Sequence, residues 1–599
     1  MQHEVPRALS RPRNKYRTAD SGYPSDGLQR EERAFISAGT HRQEYRSIGG
    51  GFRLRTRYTD MEFDRTSFIP PHEGDTILPL SPFFSRLVRH AHRKPPRLAV
   101  RDVNLGFEKT YTQFLTDVLA LRNTLRASLG EKATRDLKEG KEVYVGLLAA
   151  GGYEYAVGFV AIVALGAAVV PITLLLPVRE ASYFVLKARC VAVLASAAGR
   201  NLGDSLSQHI KAEKTLDVCC IAIATSFQPV PLAPEEICLS TAGAVMKRAF
   251  LHDCSEEINS HFNITELDVI LHVLPVHHAT GVGINFLPYI FAGACVEFRS
   301  GGVDIPWLWE RWKQGGVSVF SGVPTIYLRM MRYYEQRLAL LPEQEVNMYI
   351  KGARSLRILL CGTSALPEPV QNFWSGVLGG NSRILTRYGS TEAGAIFRTP
   401  LDCEDVPAGS VGHLAPGVTI KLSNGDEGEI LVKSPWMFAK YLHDPTATAA
   451  AHDAEGFFKT GDIARREGRN YFIMGRSSID ILKSGGYKIS ALDIEREVLS
   501  LPYIGEVMVV GVDDDEYGQR IAAAVTLRDD QKIYRCRGNG NAGKKLTIYD
   551  LRRDLRSRLA GYKMPTILRV VEGELPKSAT GKVVKKVWEK SGRQAQGKL

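Results

Sequence analysis

Short runs of β-branched and other apolar residues alternate with helical segments from about residue 79 to residue 475. Runs such as Ile221–Ala224, Val269–Leu274 and Leu356–Leu360 have the length of strands, and the segments between them are long enough for helices. Apolar strands that alternate with helices are typical of parallel sheets covered by helices. The sequence therefore predicts an α/β fold for this region.

Changes in composition divide the chain into four predicted parts. Residues 1–75 lack hydrophobic periodicity and are rich in Arg, Ser, Gly and Asp, which predicts a disordered extension. The alternating region, 76–475, is expected to form a large N-terminal domain that includes a small β-barrel-like subdomain over Gly409–Tyr441. The pattern in residues 476–590 predicts a smaller, mobile α+β C-terminal domain, followed by a tail over 591–599.

Charge and cysteine usage exclude several classes of function. The net charge is +12, of which +5 comes from the first 60 residues, where twelve Lys and Arg oppose seven Asp and Glu. The remaining +7 is spread over the rest of the chain, which suits a protein that handles anionic small molecules and not a nucleic acid. The nine cysteines form no CxxC pair, so neither a disulfide framework nor a zinc site is expected.

One uncharged stretch, Tyr155–Val178, is long enough to cross a bilayer. Glycines at 158 and 166 and prolines at 171 and 177 interrupt it, however. A buried helix over Tyr153–Leu165 that leads into a buried strand at Ala167–Val170 accounts better for the pattern. We therefore expect no transmembrane segment.

The run Arg387-Tyr388-Gly389-Ser390-Thr391-Glu392 combines hydroxyl groups, a glycine and one carboxylate. We predict a strand at Arg383–Leu385 and a glycine-containing turn over the run that follows. Hydroxyl and turn N–H groups can hold phosphate oxygens, and a carboxylate can hold Mg²⁺, as ATP chemistry requires. An isolated match of this length is more often an ordinary loop, so its meaning depends on other motifs.

Three further motifs carry compatible chemistry. Pro576–Lys582 ends in a glycine and a lysine, which suits a mobile charge for an anionic transition state; a solvated surface tail is the alternative. Gly456–Asp462 places an Asp in a predicted turn, where its two carboxylate oxygens can hold a ribose diol; a plain hairpin is the alternative. Within Gly475–Ile489, Arg476 can reach a phosphate, and two adjacent glycines permit close approach of a bulky ligand.

In this order and at these distances, the motifs resemble those of the adenylate-forming superfamily, which includes the acyl-CoA synthetases. The resemblance covers about Pro79 to Lys590 and is closest to malonyl/methylmalonyl-CoA synthetase-like enzymes. The runs that carry this closer resemblance are Leu271–His278, Gly322–Tyr327, Gly362–Pro367 and Arg387–Gly389. The resemblance implies a ligase that uses ATP and Mg²⁺ to convert a small carboxylic acid into an acyl-adenylate, and then transfers the acyl group to CoA.

The resemblance also implies roles for matching residues. Those expected to bind the nucleotide are Ser240, Thr241, Gly243, Gly362, Thr363, Ser364, Ala365, Tyr388, Gly389, Asp462 and Arg476. Thr391 would contact phosphate, Glu392 would bind Mg²⁺, and Lys582 would stabilise charge as the carboxylate displaces pyrophosphate. Rotation of the C-terminal domain about a hinge at Ser478 would then bring Gly485, Gly486 and Tyr487 to the CoA channel.

The acid substrate has four candidate contacts. We expect His277 and His278 to line the carboxylate pocket, with packed core histidines as the alternative. Adjacent histidines on a strand point to opposite faces, so these two alone do not predict a metal site. Arg387 and Arg329 are candidates to pair with a second substrate carboxylate, because a planar guanidinium suits bidentate binding. A surface position is the alternative for Arg329.

One motif departs from the family pattern. The phosphate loop should follow a strand at Glu236–Leu239 as a glycine-rich turn, but the chain has Ser240–Ala249, which retains two hydroxyls and one glycine. Val245 and Met246 add bulk where backbone N–H groups would wrap the phosphates. The loop is compatible with a functional enzyme, with a catalytically weak descendant, or with a faulty conceptual translation at an exon edge.

The leading hypothesis is an ATP-dependent acid–CoA ligase for a short-chain or dicarboxylic, malonate-like acid. A ligase for an aryl, medium-chain or specialised-metabolite acid is the alternative within this class, and a nucleotide- or CoA-binding pseudoenzyme is the alternative outside it. The tripeptide Gly597-Lys598-Leu599 resembles a peroxisomal address, and the mitochondrion, by family analogy, and the cytosol are the other candidate compartments. The expected oligomeric state is a monomer or a homodimer.

Overall fold

The computed structural model describes residues 74–79, 81–213, 218–223, 232–239, 249–362, 366–379, 383–402, 405–528, 546–576, 583 and 585. All of them belong to one compact unit, Phe63–Leu599. The strands are β1 (Ile77–Leu78), β2 (Leu98–Asp102), β3 (Phe107–Thr110), β4 (Tyr144–Leu148), β5 (Ala168–Ile172), β6 (Ala192–Ala195), β7 (Cys219–Ala222), β8 (Cys238–Leu239), β9 (Val269–His272), β10 (Cys295–Phe298), β11 (Val319–Gly322), β12 (Ile358–Cys361), β13 (Leu385–Ser390), β14 (Gly394–Arg398), β15 (His413–Leu414), β16 (Thr419–Leu422), β17 (Glu427–Lys433), β18 (Phe458–Glu467), β19 (Asn470–Arg476), β20 (Ile481–Ser484), β21 (Tyr487–Ser490), β22 (Ile504–Asp514), β23 (Gly518–Leu527) and β24 (Ile567–Val570). The α-helices are α1 (Pro82–Ala91), α2 (Tyr111–Ser128), α3 (Glu131–Lys138), α4 (Tyr153–Leu165), α5 (Val178–Ala188), α6 (Arg200–Ala212), α7 (Ala249–Phe262), α8 (Leu287–Ala292), α9 (Ile305–Lys313), α10 (Pro324–Gln336), α11 (Glu343–Arg354), α12 (Glu368–Leu378), α13 (Pro445–Ala450), α14 (Ala491–Leu499) and α15 (Ile548–Leu555).

Two large sheets organise the N-terminal part of the chain. One has four parallel strands in the order β5-β4-β6-β7. The other has nine strands in the order β15-β14-β13-β12-β11-β9-β10-β2-β3, parallel from β13 to β2 and antiparallel at both edges. The predicted α/β class, with parallel sheets and covering helices, is confirmed.

Helix α4 lies in the core and contacts α2, β2, β4 and β5. All of its residues except Glu154 are buried, as expected of a helix that is apolar on every side. It ends at Leu165, where Gly166 takes a left-handed conformation with φ of 94° and caps the helix. The uncharged stretch is therefore a core element, and within the described ranges no helix has the length and apolar character needed to cross a membrane.

The central motif differs from its predicted conformation. Arg387–Ser390 is not a turn but the second half of β13, which pairs antiparallel with β14 through Arg387 and Arg398. The turn falls at residues 391–393. The prediction was wrong because it placed the end of the strand at the first polar residue, whereas the partner strand β14 extends the pairing beyond it.

The histidine pair also differs from its predicted conformation. Strand β9 ends at His272, so His277 and His278 are not on a strand. They lie in a turn before the short π-helical segment Thr280–Ile284. The His278 backbone N–H donates to the Pro275 carbonyl oxygen and helps to close this turn.

The β-rich subdomain and the C-terminal part form separate smaller sheets. Strands β16, β17, β18 and β19 make a four-stranded antiparallel sheet. After residue 480 the chain forms the hairpin β20–β21 and the three-stranded sheet β22-β23-β24. That part has its own apolar cluster, which includes Ile494 of α14, Val509 of β22 and Leu551 of α15. A separate core agrees with the predicted C-terminal domain, whose boundaries stay a prediction.

The carboxyl ends of β11, β12 and β13 lie side by side in the large sheet. Gly322 pairs with Cys361, and Cys361 pairs with Thr386. In open α/β sheets ligands bind outside the carboxyl ends of parallel strands. This edge carries Ser321, Gly362 and the Arg387–Glu392 run, so the fold brings three of the sequence motifs together.

Candidate active site

The hairpin of β13 and β14 holds the central motif in a fixed conformation. A Cβ at Gly389 would lie 2.1 Å from the Gly394 carbonyl oxygen, so no other residue fits there without a shift of the backbone. The Ser390 hydroxyl oxygen accepts a hydrogen bond of 3.1 Å from the Ala393 backbone N–H and stabilises the turn. Thr391 is exposed at the tip of this turn, where its hydroxyl is accessible to a ligand.

Tyr388 projects from the opposite face of β13 to Arg387, as alternate residues of a strand do. Its ring stacks on Phe397 with centroids 5.7 Å apart, and Phe397 stacks on Tyr471 at 4.2 Å. Its hydroxyl donates a hydrogen bond of 2.6 Å to Oδ2 of Asp462. Burial, reinforced by the Asp462 carboxylate, raises the pKa of Tyr388, so the phenol stays protonated and remains a donor.

Asp462 connects Tyr388 to Arg476. It lies inside β18, directly opposite Arg476 of β19, and not in the predicted turn. The second carboxylate oxygen of Asp462 lies 3.1 Å from Nε of Arg476. The Asp462 side chain is 13% exposed and the Arg476 side chain is 61% exposed, so the carboxylate is mostly buried and the guanidinium is accessible from outside. The hydroxyl groups of a diol could donate hydrogen bonds to the carboxylate oxygens while the exposed guanidinium binds a phosphate.

Glu392 is half-buried and is oriented by an aromatic residue from a distant part of the chain. The Tyr441 hydroxyl donates a hydrogen bond of 3.0 Å to Oε1 of Glu392. The Glu392 backbone carbonyl accepts a hydrogen bond of 2.7 Å from the Phe438 N–H. Burial and the nearby Glu392 carboxylate raise the pKa of Tyr441.

This environment fits Mg²⁺ bound together with a nucleotide. Within the described ranges no cluster of three or more His, Cys, Asp or Glu side chains is arranged to hold a metal by itself. Mg²⁺ in nucleotide sites is usually held by one or two carboxylates together with substrate phosphates and water. Glu392, with one carboxylate oxygen bound to Tyr441, is suited to that role; the assignment stays a prediction.

Arg387 is a buried cation at the carboxyl edge of the large sheet. Its Nη2 donates a hydrogen bond of 2.9 Å to the Ser321 hydroxyl oxygen, and its Nη1 has no hydrogen-bond partner among the residues that the structure describes. The neighbouring Tyr289 hydroxyl is likewise buried without a partner in the described part of the chain. Burial lowers the pKa of Arg387, whereas Tyr289, Cys361 and Tyr327 nearby act in the opposite direction.

The guanidinium reaches this position because Gly362 leaves room for it. A Cβ at Gly362 would lie 3.1 Å from Nε of Arg387. Behind it, the Tyr327 hydroxyl donates a hydrogen bond of 2.9 Å to the Leu360 carbonyl oxygen. Arg387 is therefore buried between Gly362 and Ser321, and its Nη1 group has no acceptor among the residues that the structure describes.

The other substrate candidates lie in two different places. His277 and His278 are partly buried, and burial, followed by the proximity of His278, lowers the pKa of His277. Nδ1 of His278 accepts a hydrogen bond of 3.2 Å from the Thr280 N–H. Arg329, in contrast, lies on the exposed face of α10, and its Nη2 is 3.5 Å from the Val303 carbonyl oxygen. The structure thus places Arg329 at the surface, and not with the groups around Arg387.

The hinge and CoA candidates belong to the turns around β20. Ser478 is exposed in the turn that precedes this strand. Gly485 and Gly486 connect β20 to β21 with φ of 55° and 80°, a conformation that favours glycine. The exposed Tyr487 ring stacks on Tyr562 at 4.5 Å. These positions agree with a hinge and a ligand-facing loop, but the roles stay predictions.

Several predicted site residues lie outside the described ranges. They are Ser240, Thr241 and Gly243 of the phosphate loop, Thr363, Ser364 and Ala365 of the adenine run, and Lys582. Their assignments also stay predictions.

Sequence reasoning missed four residues that the structure places at the site: Ser321, Tyr289, Tyr441 and Phe397. Ser321 directly precedes the predicted run Gly322–Tyr327, so its position was available as a signal. The other three reach the site by long-range packing, and each resembles an ordinary core aromatic residue in the sequence.

Comparison with known proteins agrees with this geometry. The family model for AMP-binding enzymes matches residues 87–236 and 237–442, and the model for the C-terminal domain of AMP-binding enzymes matches residues 493–582. The chain belongs to the AMP-binding enzyme family. Family membership covers both the large N-terminal part and the smaller C-terminal part of the chain.

Three similar proteins illustrate the relationship. An acyl-CoA ligase of Aspergillus oryzae, oryP, is 30% identical over 85% of this chain and 92% of its own. The human mitochondrial malonate–CoA ligase ACSF3 is 36% identical over 54% of this chain and 58% of its own. The ATP-bound structure of MatB from Rhodopseudomonas palustris superposes with a TM-score of 0.67 over 85% of this chain and 98% of its own, at 22% identity, and so confirms the fold.

These findings confirm the predicted class of enzyme. The protein is an AMP-forming acid–CoA ligase of the adenylate-forming superfamily, with a small-molecule acid, ATP and CoA as reactants and Mg²⁺ as cofactor.

Proposed function

We propose that this ligase activates a short dicarboxylic acid of the malonate type, and that Arg387 binds the carboxylate that does not react. The observation that carries the proposal is the buried Arg387 guanidinium, whose Nη1 has no acceptor among the described residues. A buried charge is costly unless an opposite charge compensates it. A substrate carboxylate would supply that charge and accept from the Nη1 group.

The position of Arg387 supports separate binding places for the acid and the nucleotide. Arg387 and Tyr388 project from opposite faces of β13. Tyr388 contacts Asp462, which is the candidate ribose ligand, whereas Arg387 contacts Ser321 at the end of β11. We infer that β13 divides the site, with the nucleotide on the Tyr388 side and the distal carboxylate on the Arg387 side.

The proposed reaction has two steps. The reacting carboxylate attacks the α-phosphorus of ATP, and the bond to pyrophosphate breaks, which yields acyl-AMP. The thiol of CoA then attacks the acyl carbon, AMP leaves, and the thiol proton passes to solvent. Asp462 and Arg476 would position the ribose and phosphate, and Lys582 would stabilise the charge that develops in the first step. Mg²⁺, held by Glu392 and the phosphates, would neutralise phosphate charge.

Sequence similarity supports a malonate-type substrate. Malonate–CoA ligases of Homo sapiens and of Arabidopsis thaliana are each 36% identical to this chain, although the chain covers only 58% and 54% of their respective lengths. Malonate–CoA ligation is the activity inferred from Arg387 as well. Mitochondrial ACSF3 also makes the mitochondrion one proposed compartment. A monomer or a homodimer stays the predicted oligomeric state.

A panel of acids tests the proposal. Pyrophosphate release by the purified protein is measured with malonate, methylmalonate, propionate, octanoate and benzoate, each with ATP, Mg²⁺ and CoA. The result expected is release with the two dicarboxylates and formation of the corresponding thioesters. Preference for octanoate or benzoate would support a ligase of the other predicted substrate class. Absence of release with every acid, while AMP or CoA still raises the melting temperature, would support the pseudoenzyme interpretation.

A further inference from the structure

Lys585 forms a buried ionic cluster with two carboxylates that the reaction does not use. Its Nζ lies 2.7 Å from Oδ1 of Asp480 and 2.8 Å from Oε1 of Glu495. The side chains of all three residues are at most 15% exposed. We call these three residues the Lys585 cluster.

The Lys585 cluster joins three separate parts of the C-terminal region. Asp480 precedes β20, Glu495 belongs to α14, and Lys585 comes from the end of the described chain. Oε1 of Glu495 also accepts a hydrogen bond of 2.7 Å from the Val509 N–H of β22. Two carboxylates share one ammonium group, so loss of Lys585 would leave two like charges close together in a buried site.

The cluster also continues towards the nucleotide pocket. Oδ2 of Asp480 accepts a hydrogen bond of 3.0 Å from the Arg476 backbone N–H, across the predicted hinge at Ser478. The Arg476 side chain contacts Asp462, which contacts Tyr388. A continuous series of polar contacts therefore runs from Lys585 to the candidate ribose ligand.

Covalent geometry relates Lys585 to the predicted catalytic lysine. Three residues of extended chain span at most about 11 Å, so the backbone at residue 582 cannot lie farther than that from the backbone at residue 585. Val583, between them, packs against a second apolar cluster that includes Met508 and Leu575. Anchors at residues 583 and 585 thus limit the positions open to Lys582.

We propose that Lys585 is a positioning residue for the first half-reaction: with Asp480 and Glu495 it fixes the segment that carries Lys582 relative to the hinge. The proposal rests on the adenylation role of Lys582 and not on the identity of the acid. Burial raises the pKa of Glu495. Burial opposes the charge of Lys585, but the carboxylates of Glu495 and Asp480 outweigh it and raise the pKa of Lys585, which keeps the ammonium charged. All three members of the cluster lie beyond the hinge, so rotation of the domain would carry the cluster as one body.

The test compares Lys585→Met with Lys585→Arg, which keeps the charge, and with Arg553→Met, which removes an exposed ion pair on α15. With any acid that the wild type accepts, acyl-AMP formation is measured without CoA, and thioester formation is measured from supplied acyl-AMP and CoA. In Lys585→Met we expect kcat for acyl-AMP formation to fall by about tenfold to a hundredfold, with KM for ATP and the second half-reaction changed by less than about threefold. Lys585→Arg should recover most of the loss, and Arg553→Met should resemble the wild type.

A second readout does not depend on turnover. Hydrogen exchange of peptides within residues 576–590 should be faster by about tenfold or more in Lys585→Met and unchanged in Arg553→Met. Faster exchange together with a selective loss of adenylation supports the proposal. Unchanged exchange, or equal losses in both half-reactions that follow the loss of thermal stability, would overturn it. If malonate fails as a substrate but exchange responds as expected, the substrate proposal fails and this one stands.

Discussion

Replacement of Arg387 by Met provides the sharpest test of the substrate pocket. Met has a similar length but no charge, so it fills the space beside Gly362 and leaves the Ser321 hydroxyl without its present donor. Removal of one partner of a buried ion pair costs about 3–5 kcal/mol. At about 1.4 kcal/mol for each factor of ten, kcat/KM for malonate should fall by about two to three and a half orders of magnitude.

The same substitution should spare a substrate that lacks the second carboxylate. Propionate has the carbon skeleton of malonate without the distal charge, so its kcat/KM should change by less than about threefold in Arg387→Met, as expected for loss of a contact it does not make. Initial rates of pyrophosphate release with both acids measure the ratio directly. Arg329→Met is the matched control, because Arg329 lies on the exposed face of α10, and it should leave both rates unchanged.

Stability supplies an independent readout for this variant. The free enzyme buries the guanidinium with one N–H group that has no acceptor in the described ranges, so its removal should not lower the melting temperature. Equal losses for malonate and propionate would refute the reasoning, since they would show that Arg387 supports the fold or the nucleotide site. An unchanged rate with malonate would refute it as well.

Three further predictions concern other groups. Lys582→Ala should abolish acyl-AMP formation while CoA still reacts with supplied acyl-AMP; undiminished acyl-AMP would show that the lysine assignment is wrong. Asp462→Asn should raise KM for ATP by about tenfold, because loss of the carboxylate's charge weakens its hydrogen bonds by about 1–2 kcal/mol, and an unchanged KM would argue against ribose binding. Complete burial lowers the pKa of His272 to about 4. As the pH falls through about 6.5, this imidazole is therefore protonated in the unfolded chain but stays neutral in the folded protein. The free energy of unfolding, measured by urea denaturation, should therefore fall by about 2 kcal/mol from pH 7 to pH 5 because of this residue. The fall should be smaller in His272→Gln. An equal fall in both proteins would show that His272 is not the cause.

Elements of the parallel sheets could be predicted from the sequence. Buried parallel strands are short apolar runs, so Val269–Leu274 and Leu356–Leu360 were located to within two residues of β9 and β12. The buried helix Tyr153–Leu165 was predicted at its observed bounds, because Gly166 marks its end. Local chemistry determined these elements, and local chemistry is what a single sequence displays.

The site could be predicted only in part. The sequence indicated which residue types were present, but it did not show that Arg387 is buried or that Tyr441 contacts Glu392 across 49 positions of the chain. A turn was predicted where the structure has a strand, because β13 pairs with β14. As neighbouring residues of that strand, Arg387 and Tyr388 point to opposite faces of the sheet. Arg329 and Arg387 were both candidate carboxylate ligands, with a surface position as the alternative for Arg329, and the structure places Arg329 at the surface and Arg387 in the core.

A direct competition between malonate and propionate tests the central claim most directly. Both acids, at equal concentration, are incubated with the wild-type protein, ATP, Mg²⁺ and a limiting amount of CoA, and the two thioesters are quantified by mass spectrometry. A buried guanidinium that binds the distal carboxylate predicts an excess of malonyl-CoA of about two orders of magnitude or more. Equal amounts of the two thioesters, or an excess of propionyl-CoA, would contradict the account.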